Sequence, residues 1–494
     1  MSKFREIKDT DFRYSFKNEH VALRAVRLIT DTDHVDAVLE ETERLCYRAT
    51  TERLYGHIFI ATERTERRAV VLIAPAPDFV MPSAKIDDGV LTADAVGYPL
   101  YVAECDAADS ERLVRDWYRE YYKPNSLCAM SNTWGDRNGR TRVCDEFIRR
   151  EIESGADLGL DVVQIDDGWQ TGVPTVYDSD GVRMFEGDFW KLKSDIFPNG
   201  MRSLSNYARE RGVELGLWFA PHSRGAFEHF ERDFEVLLEA YRDWGIRYFK
   251  LDMISLPTRQ HCDKMLELIS KTVSLGEGVS VELDVTTDRR LGYLLPARYG
   301  TIFVENRYTA WASYYPHRTL RNLWMISRFI PSAKLQFEIV NPDLYTDKYN
   351  ADDPFRHGLY SADYLFVSVM LSNPLFWMET QFLSERARAD LKAVIPLWKQ
   401  YRESFAHADV RPTGETPTGA SLTGFIADTG DSLHVILLRE ATERDAITVD
   451  LGITPASIEL IVEKTETSHA VHGTTLTVAF SSQRSYVWLR LAKS

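Results

Sequence analysis

Eight short apolar segments recur between residue 127 and about residue 380, and they constrain the fold of this 494-residue chain more than any other feature. The segments alternate with stretches of helical periodicity, which is typical of repeated βα units around a parallel sheet. In chain order they read LCAMSN, DVVQID, VELGLWF, YFKLDM, VSVELDV, TIFVEN, KLQFEIV and YLFVSVM. Eight such units over roughly 250 residues match the size of a TIM barrel. We therefore predict a (β/α)8 barrel, with a doubly wound open sheet as the alternative.

Runs typical of β-structure flank the predicted barrel on both sides. HIFIAT and AVVLIAP come before it, and the amphipathic segment ERLVRDWYREYY leads into it. The Pro-, Gly- and Thr-rich stretch HADVRPTGETPTGAS follows it and precedes further runs such as SLHVILLRE and SYVWLRL. The predicted α/β architecture has three parts: an N-terminal β-rich domain (1–110), the (β/α)8 barrel (111–405) and a C-terminal antiparallel β-sandwich (406–494).

The charge and the cysteines exclude several classes of protein. A formal net charge of -15, from 74 acidic and 59 basic residues, argues against a nucleic-acid or acidic membrane partner. The five cysteines are scattered without a CxxC pair, which fits neither a disulfide framework nor a zinc site. The charged start MSKFREIKDTDFRYSF lacks the apolar core of a signal peptide. We expect a cytoplasmic protein, and its oligomeric state, a homo-oligomer included, stays open.

Acidic residues stand at the ends of several predicted strands, where a barrel assembles its active site. The second strand ends in Asp166, Asp167 and Trp169, two carboxylates that can accept sugar hydroxyls and an aromatic face for a sugar ring, although a surface turn is the alternative. In the fourth strand, period-two alternation places Lys250 and Asp252 on one face. A buried ion pair would explain them structurally. A lysine that keeps a carboxylate ionised also suits a glycosyl nucleophile.

The fifth and sixth strands add further candidates. Glu282 and Asp284 share a face of the fifth strand, and Arg290 follows in its loop. The sixth strand ends in Glu305 and Arg307. A retaining glycosidase needs two carboxyl groups about 5–5.5 Å apart, which Asp252 could supply with either Glu305 or Asp284. Trp134, after the first strand, and Trp377, after the eighth, are candidates to line the pocket or to belong to the core.

Three motifs resemble the retaining α-galactosidases, most closely glycoside hydrolase family 36 (melibiase-like) and its divergent relatives. They are VVQIDDGWQTG, FPNGMRSLSNYARERGVELGLWFAP and YFKLDM, and the resemblance covers residues 127–380. It implies that Asp252 is the nucleophile and that Lys250 contacts sugar hydroxyls. It further implies that Asp166 and Asp167 bind the far side of the ring, with Trp169 as a wall. Trp218 is similar to the tryptophan of the family motif GLWFEPE, in which His222 replaces a glutamate.

Two departures from the family pattern concern the substrate and the proton donor. The family's cysteine- and glycine-rich loop after the fifth strand is replaced here by ELDVTTDRRLGYL, so the sugar-binding surface differs there. The family's acid/base aspartate lies in an SDNTD-like segment of the sixth strand, and its best match here is Glu305 in VENRYT. We expect Glu305 to be the acid/base, with Asp284 as the alternative. Arg307, Asp284 and Arg290 are then secondary binding candidates, and a salt-bridge role remains open for Arg307.

The reaction implied is cleavage of a terminal α-linked sugar from a small oligosaccharide or α-glycoside by double displacement, without metal or organic cofactor. A transglycosylase of the same clan would differ only in what accepts the sugar. A non-catalytic glycan-binding protein is another alternative, because the SDNTD motif is missing. A metal-dependent barrel enzyme is a further one, although only His222 lies near a predicted strand end.

Overall fold

The computed structural model describes residues 3–7, 12–17, 20–29, 38–47, 52–77, 79–121, 126–136, 139–173, 188–284, 300–304 and 307–493. Two antiparallel sheets come first along the chain, a six-stranded sheet in the order β1-β10-β7-β6-β3-β4 and a four-stranded sheet in the order β2-β9-β8-β5. Their strands are β1 (Arg5–Ile7), β2 (Phe12–Ser15), β3 (His20–Leu28), β4 (Leu39–Tyr47), β5 (Leu54–Tyr55), β6 (Ile58–Glu63), β7 (Arg68–Ile73), β8 (Ser83–Asp87), β9 (Val90–Asp94) and β10 (Leu100–Asp106).

A closed barrel of eight parallel strands follows, in the order of the chain. The strands are β11 (Met130–Asn132), β12 (Val162–Ile165), β13 (Glu214–Phe219), β14 (Tyr248–Leu251), β15 (Ser280–Asp284), β16 (Gly300–Phe303), β17 (Leu335–Ile339) and β18 (Asn373–Phe376). The predicted (β/α)8 barrel is confirmed, and the doubly wound sheet is excluded because β11 pairs with β18 and closes the sheet.

Helices lead into the barrel, alternate with its strands and follow the last one. They are α1 (Ser110–Tyr121), α2 (Asp145–Leu158), α3 (Gly200–Arg209), α4 (Arg224–Phe227), α5 (Phe230–Glu239), α6 (Arg259–Val273), α7 (Pro316–Ile326), α8 (Ala362–Val369) and α9 (Glu385–His407). The short segment α4 is irregular, because Gly225, Ala226 and Phe227 have positive φ. A π-helical turn spans Ala240–Trp244, and 3-10 turns span Ala107–Asp109, Gly139–Thr141, Ser332–Lys334, Thr346–Lys348, His357–Leu359 and Thr380–Phe382. Within the described ranges, none of the helices has the length and apolar character needed to span a bilayer.

Antiparallel sheets end the chain, as predicted. A five-stranded sheet has the order β19-β20-β21-β26-β23 and a three-stranded sheet the order β22-β25-β24. Their strands are β19 (Asp409–Gly414), β20 (Leu422–Asp428), β21 (Ser432–Arg439), β22 (Ala446–Asp450), β23 (Ser457–Glu463), β24 (Thr467–His472), β25 (Thr475–Phe480) and β26 (Ser485–Ala492). The domain limits at residues 110 and 405 stay a prediction.

The register of the barrel decides which side chains face its axis. Trp218 pairs with Lys250, and Lys250 pairs with Glu282, so these three side chains share one level and one face. Alternate residues such as Leu217 and Phe249 point outward and are buried under the surrounding helices. The inward positions of β12 to β15 are therefore unusually polar, while apolar residues such as Leu375 of β18 fill the other side of the interior.

The prediction for the eighth strand was wrong in position. The segment YLFVSVM lies in and just after helix α8, and the strand that closes the barrel is the following NPLF segment, Asn373–Phe376. Every residue of α8 is buried. A helix buried all round shows a continuous apolar run without a polar face, and such a run cannot be told from a buried strand by periodicity.

Leu217 tests the packing between β13 and the helices, because its side chain is 1% exposed in this layer. We expect Leu217→Ala to reduce the free energy of unfolding by about 2–5 kcal/mol through lost burial and a residual cavity. The midpoint of urea unfolding, followed by circular dichroism, measures this loss. Leu460→Ala is the matched control, since that side chain is 44% exposed, and an equal loss in both variants would contradict the assignment.

Candidate active site

Lys250 is the centre of a buried charge cluster at the C-terminal end of the barrel strands. Its Nζ lies 2.8 Å from Asp166 Oδ2, 2.9 Å from Asp284 Oδ2 and 3.7 Å from Asp252 Oδ2. Burial alone would lower the pKa of Lys250, but the carboxylates of Asp166, Asp284 and Asp252 outweigh it and raise that pKa well above its ordinary value. The Nζ also lies 4.8 Å from the ring centre of Trp377. The lysine is therefore permanently charged, and it forms ion pairs with carboxylates at the ends of three strands.

Asp252 directly follows β14, and both of its carboxylate oxygens accept hydrogen bonds. Trp218 Nε1 donates to Oδ2 over 2.9 Å, and the backbone N of Met253 donates to Oδ1 over 2.6 Å. Met253 has φ 53, a left-handed conformation that costs a non-glycine residue about 1–3 kcal/mol and that often occurs at functional sites. The carboxylate is thus held in one orientation next to a fixed cation.

The side chain of Asp166 is held from two further sides. Its Oδ2 accepts a hydrogen bond from Asn132 Nδ2 over 2.8 Å in addition to the one from Lys250, and its Oδ1 accepts from the backbone N of Asp167 over 2.8 Å. Asn132 Nδ2 also donates to Gln164 Oε1 over 2.5 Å. Because Asn132 and Gln164 are ordinary polar residues within strand segments, sequence reasoning did not single them out.

Asp167 points to a different set of partners from Asp166. Arg140 Nη2 donates to its Oδ2 over 2.6 Å, and Gln170 Nε2 donates to its Oδ1 over 2.5 Å. Burial raises the pKa of Asp167 above its ordinary value, although the hydrogen bond from Gln170 and the charge of Arg140 oppose this. The Arg140 side chain keeps 34% of its surface exposed, so this pair lies towards the solvent side of the cluster. Arg140 was also missed in the sequence, because it stands in a loop without a recognisable motif.

The two tryptophans of the sequence motifs have different positions. Trp218 touches Asp252, whereas Trp169 is 0% exposed and donates from its Nε1 to the backbone O of Trp218 over 2.9 Å. The ring of Trp169 packs 5.7 Å from that of Trp190 in the core between barrel and helices. Our prediction that Trp169 forms a wall of the sugar pocket is therefore not supported, because its faces are covered by protein. Its hydrogen bond instead helps to fix the backbone of Trp218.

The remaining candidates divide into those in the cluster and those outside it. Asp284 belongs to the cluster through Lys250. Arg307 is fully buried and donates from Nη1 to the backbone O of Ser313 over 3.5 Å. Trp134 is partly buried beside the apolar barrel interior, and its backbone N donates to Asn132 Oδ1 over 2.8 Å. Glu305 and Arg290 lie outside the described residues.

Glu282 lies two residues before Asp284 on the same face of β15, and its side chain is buried. Gln164 Nε2 donates to its Oε2 over 3.0 Å. Burial raises the pKa of Glu282 to about 8, because it outweighs the favourable charge of Lys250. Glu282 is therefore a neutral acid near pH 7, beneath the charged groups.

Comparisons with known proteins agree with these motifs. Residues 107–262 match the Melibiase family model. The α-galactosidase Mel36A of Lactobacillus acidophilus is 29% identical over 111 residues, which cover 22% of this chain and 13% of that relative's length. The resemblance to the melibiase-like proteins is confirmed. The melibiase-like segment contains the DDGW, GLWF and K-x-D motifs and therefore Asp166, Trp218, Lys250 and Asp252.

Solved structures share the fold over nearly the whole chain. A variant of the GH36 α-galactosidase AgaA from Geobacillus stearothermophilus in complex with raffinose has a TM-score of 0.69 at 12% identity, covering 98% of this chain and 76% of that one. The α-galactosidase from Lactobacillus brevis has a TM-score of 0.69 at 9% identity, covering 99% and 75%. At such identities the likeness concerns the architecture, and chemistry must be argued from the side chains.

Glu282 gives this melibiase-like barrel a predicted pH dependence. Its pKa of about 8 in the folded protein exceeds the ordinary value of 4.5, so the folded state holds the proton more tightly than the unfolded chain. The resulting stabilisation is complete below about pH 4.5 and is lost as the pH rises towards 8. Glu282→Gln removes this ionisation, so we expect the variant to gain stability relative to the wild type across this range. Urea unfolding at pH 5, 6, 7 and 8 measures the difference.

The matched control is Glu277→Gln, which removes an exposed carboxyl group. Its stability relative to the wild type should stay constant over the same pH series. A constant difference for Glu282→Gln as well would show that Glu282 is ionised in the folded protein.

Proposed function

We propose that this protein is a retaining α-glycoside hydrolase of the α-galactosidase type, which removes a terminal α-linked sugar from a small oligosaccharide. The observation that carries the proposal is the Asp252 carboxylate, oriented by Trp218 Nε1 at 2.9 Å and the Met253 backbone N at 2.6 Å. A nucleophile must be ionised and aimed before substrate arrives. The cation of Lys250 at 3.7 Å favours the ionised form.

In the proposed first step, Asp252 attacks the anomeric carbon while an acid protonates the leaving oxygen, which gives a covalent glycosyl-enzyme. Water then releases the sugar, and the same acid acts as base, so that the configuration is retained. Asp166, Asp167 and Lys250 are proposed to hold the sugar hydroxyls around this carbon. The hydrogen bonds that these side chains make to other protein groups in the free protein would be exchanged for bonds to substrate.

We propose Glu305 as the acid/base. Asp284, the alternative, lies 2.9 Å from the Lys250 ammonium, and an ion pair suits a permanent anion better than a group that must carry a proton. Asp284 is then a binding and positioning residue, which helps to hold Lys250 between the strand ends.

The substrate class is proposed from the melibiase-like resemblance. Mel36A is an α-galactosidase, and the AgaA variant binds raffinose, whose galactose is α-linked. The cluster of carboxylates and one cation suits a ligand rich in hydroxyl groups. We therefore propose an α-galactoside as the first substrate to test, with α-glucosides, α-N-acetylgalactosaminides and β-galactosides as comparisons.

Asp252→Asn tests the nucleophile. The amide cannot form the glycosyl-enzyme, so we expect hydrolysis of p-nitrophenyl α-galactoside to fall to the background rate while the unfolding midpoint changes little. Asp263→Asn is the control, since that aspartate is exposed on helix α6. For the wild type, proton NMR should detect α-galactose as the first product. Retained turnover in Asp252→Asn, or β-galactose as the first product, contradicts the proposal. If the wild type binds sugar but cleaves no aryl α-glycoside, the result favours a glycan-binding protein.

Glu305→Gln and Asp284→Asn separate the two candidate acids. Loss of the acid/base affects leaving groups that need a proton far more than activated ones, and such catalysis contributes about 10²–10⁴-fold. We expect Glu305→Gln to lose most activity on raffinose but to keep the burst of p-nitrophenol from the aryl glycoside. Asp284→Asn should weaken both reactions alike. The reverse pattern would assign the acid/base to Asp284.

A further inference from the structure

A second group of potential ligands lies on the segment that follows β13, apart from the carboxylates around Lys250. His222, Glu228 and His229 each offer one ligand atom, and these atoms all lie within 4.8 Å of one another. The ring centres of the two histidines are 5.1 Å apart, and His229 Nε2 lies 3.9 Å from Glu228 Oε1. Two imidazoles and a carboxylate form the donor set that zinc and its neighbours in the first transition series prefer.

The backbone between these residues folds back tightly. Gly225, Ala226 and Phe227 have φ values of 56, 54 and 62, so three consecutive residues adopt the left-handed region. This turn brings Glu228 and His229 back towards His222. A Cβ on Gly225 would lie 2.9 Å from Glu228 Oε2, so the glycine leaves the space in which the carboxylate lies.

Hydrogen bonds to neighbouring helices hold the two ends of the turn. The backbone N of His222 donates to Asp233 Oδ2 of helix α5 over 2.9 Å. The backbone O of His229 accepts from Asp233 N over 3.1 Å at the start of the same helix. In the middle of the turn, Ala226 N donates to His261 Nε2 of helix α6 over 3.3 Å. The histidines therefore start from fixed backbone positions, and mainly side-chain rotation has to adapt to a ligand.

We propose that His222, Glu228 and His229 bind one divalent transition-metal ion, of the zinc type. A tetrahedral zinc ion with bonds of about 2.0–2.1 Å needs ligand atoms about 3.3 Å apart, and the 3.9 Å between Glu228 and His229 is within a small side-chain rotation of this value. His222 is buried, His229 is partly buried and Glu228 is exposed. Three protein ligands leave a fourth position of a tetrahedral ion, which a water molecule would fill.

The ion would brace the left-handed turn at the mouth of the barrel. The segment that leads from β13 into the turn is linked to the proposed nucleophile loop, because the backbone N of Asp252 donates to the O of Phe219 over 3.1 Å and the N of Ser255 donates to Ser223 Oγ over 3.3 Å. The three proposed ligands are different residues from those around Asp252, and metal binding does not depend on glycoside cleavage. None of the five cysteines is among the proposed ligands.

The test is isothermal titration calorimetry. The tag-free protein is first dialysed against a chelator and is then titrated with Zn²⁺. We expect one equivalent to bind, with an affinity that falls in acid because protons compete with the metal for its ligands. Substitution of a residue that only supports a metal ligand weakens binding about 10–100-fold. His222→Ala and His229→Ala should each weaken it at least as much. Co²⁺ should give the visible absorption of a four- or five-coordinate site.

Glu228→Gln is the key variant, because its exposed side chain can change without loss of folding, and it should also weaken binding at least about tenfold. His472→Ala removes an exposed histidine on β24 and should bind Zn²⁺ like the wild type. Absence of stoichiometric binding in the wild type, or equal affinity in wild type and Glu228→Gln, overturns the proposal. Because the readout is metal binding, either result leaves the proposed hydrolase function unaffected.

Discussion

The arrangement of the barrel mouth depends on one buried cation. Lys250 is 1% exposed and ends at an Nζ within 4 Å of three carboxylates from three strands. Removing charges from water is costly, and the cost is recovered only if each charge has close partners of opposite sign. One cation among three acids leaves a negative excess, and the hydrogen bonds that Asn132, Trp218 and the backbone N of Met253 donate to these carboxylates help to offset it.

This charge balance explains the neutral acid beneath it. A fourth ionised carboxylate at the level of Lys250 would add to the negative excess, and Glu282 is instead kept protonated by burial, with a pKa of about 8. Gln164 connects Glu282 to Asn132, and Asn132 connects to Asp166. The polar half of the interior is thus a continuous network, in which the neutral side chains of Gln164 and Glu282 lie deeper than the three carboxylates at the strand ends. That arrangement suits the proposed function, in which the site binds hydroxyl groups and stabilises a positively charged transition state.

Period-two alternation was sufficient to predict the core of this network. Lys250 and Asp252 lie two residues apart at the end of a short apolar run, and a strand must then place them on one face. The barrel itself was predictable for a similar reason, because seven of the eight strands coincide with the predicted apolar runs. The exception, YLFVSVM, is buried on all sides. Because it has no polar face, its sequence pattern does not distinguish a helix from a strand.

Contacts between segments distant in sequence were not predictable in the same way. Trp169 stands beside two site aspartates in the chain, yet its ring points into the core, because the strand-to-loop bend after Ile165 separates neighbouring side chains. Arg140 reaches Asp167 from a loop 27 residues earlier. The three potential metal ligands meet only through a left-handed turn that includes Ala226 and Phe227, residues whose type gives no signal for positive φ. Local sequence patterns therefore identify the strands that carry the candidate site residues, whereas the conformation of the loops determines which neighbouring residues contact them.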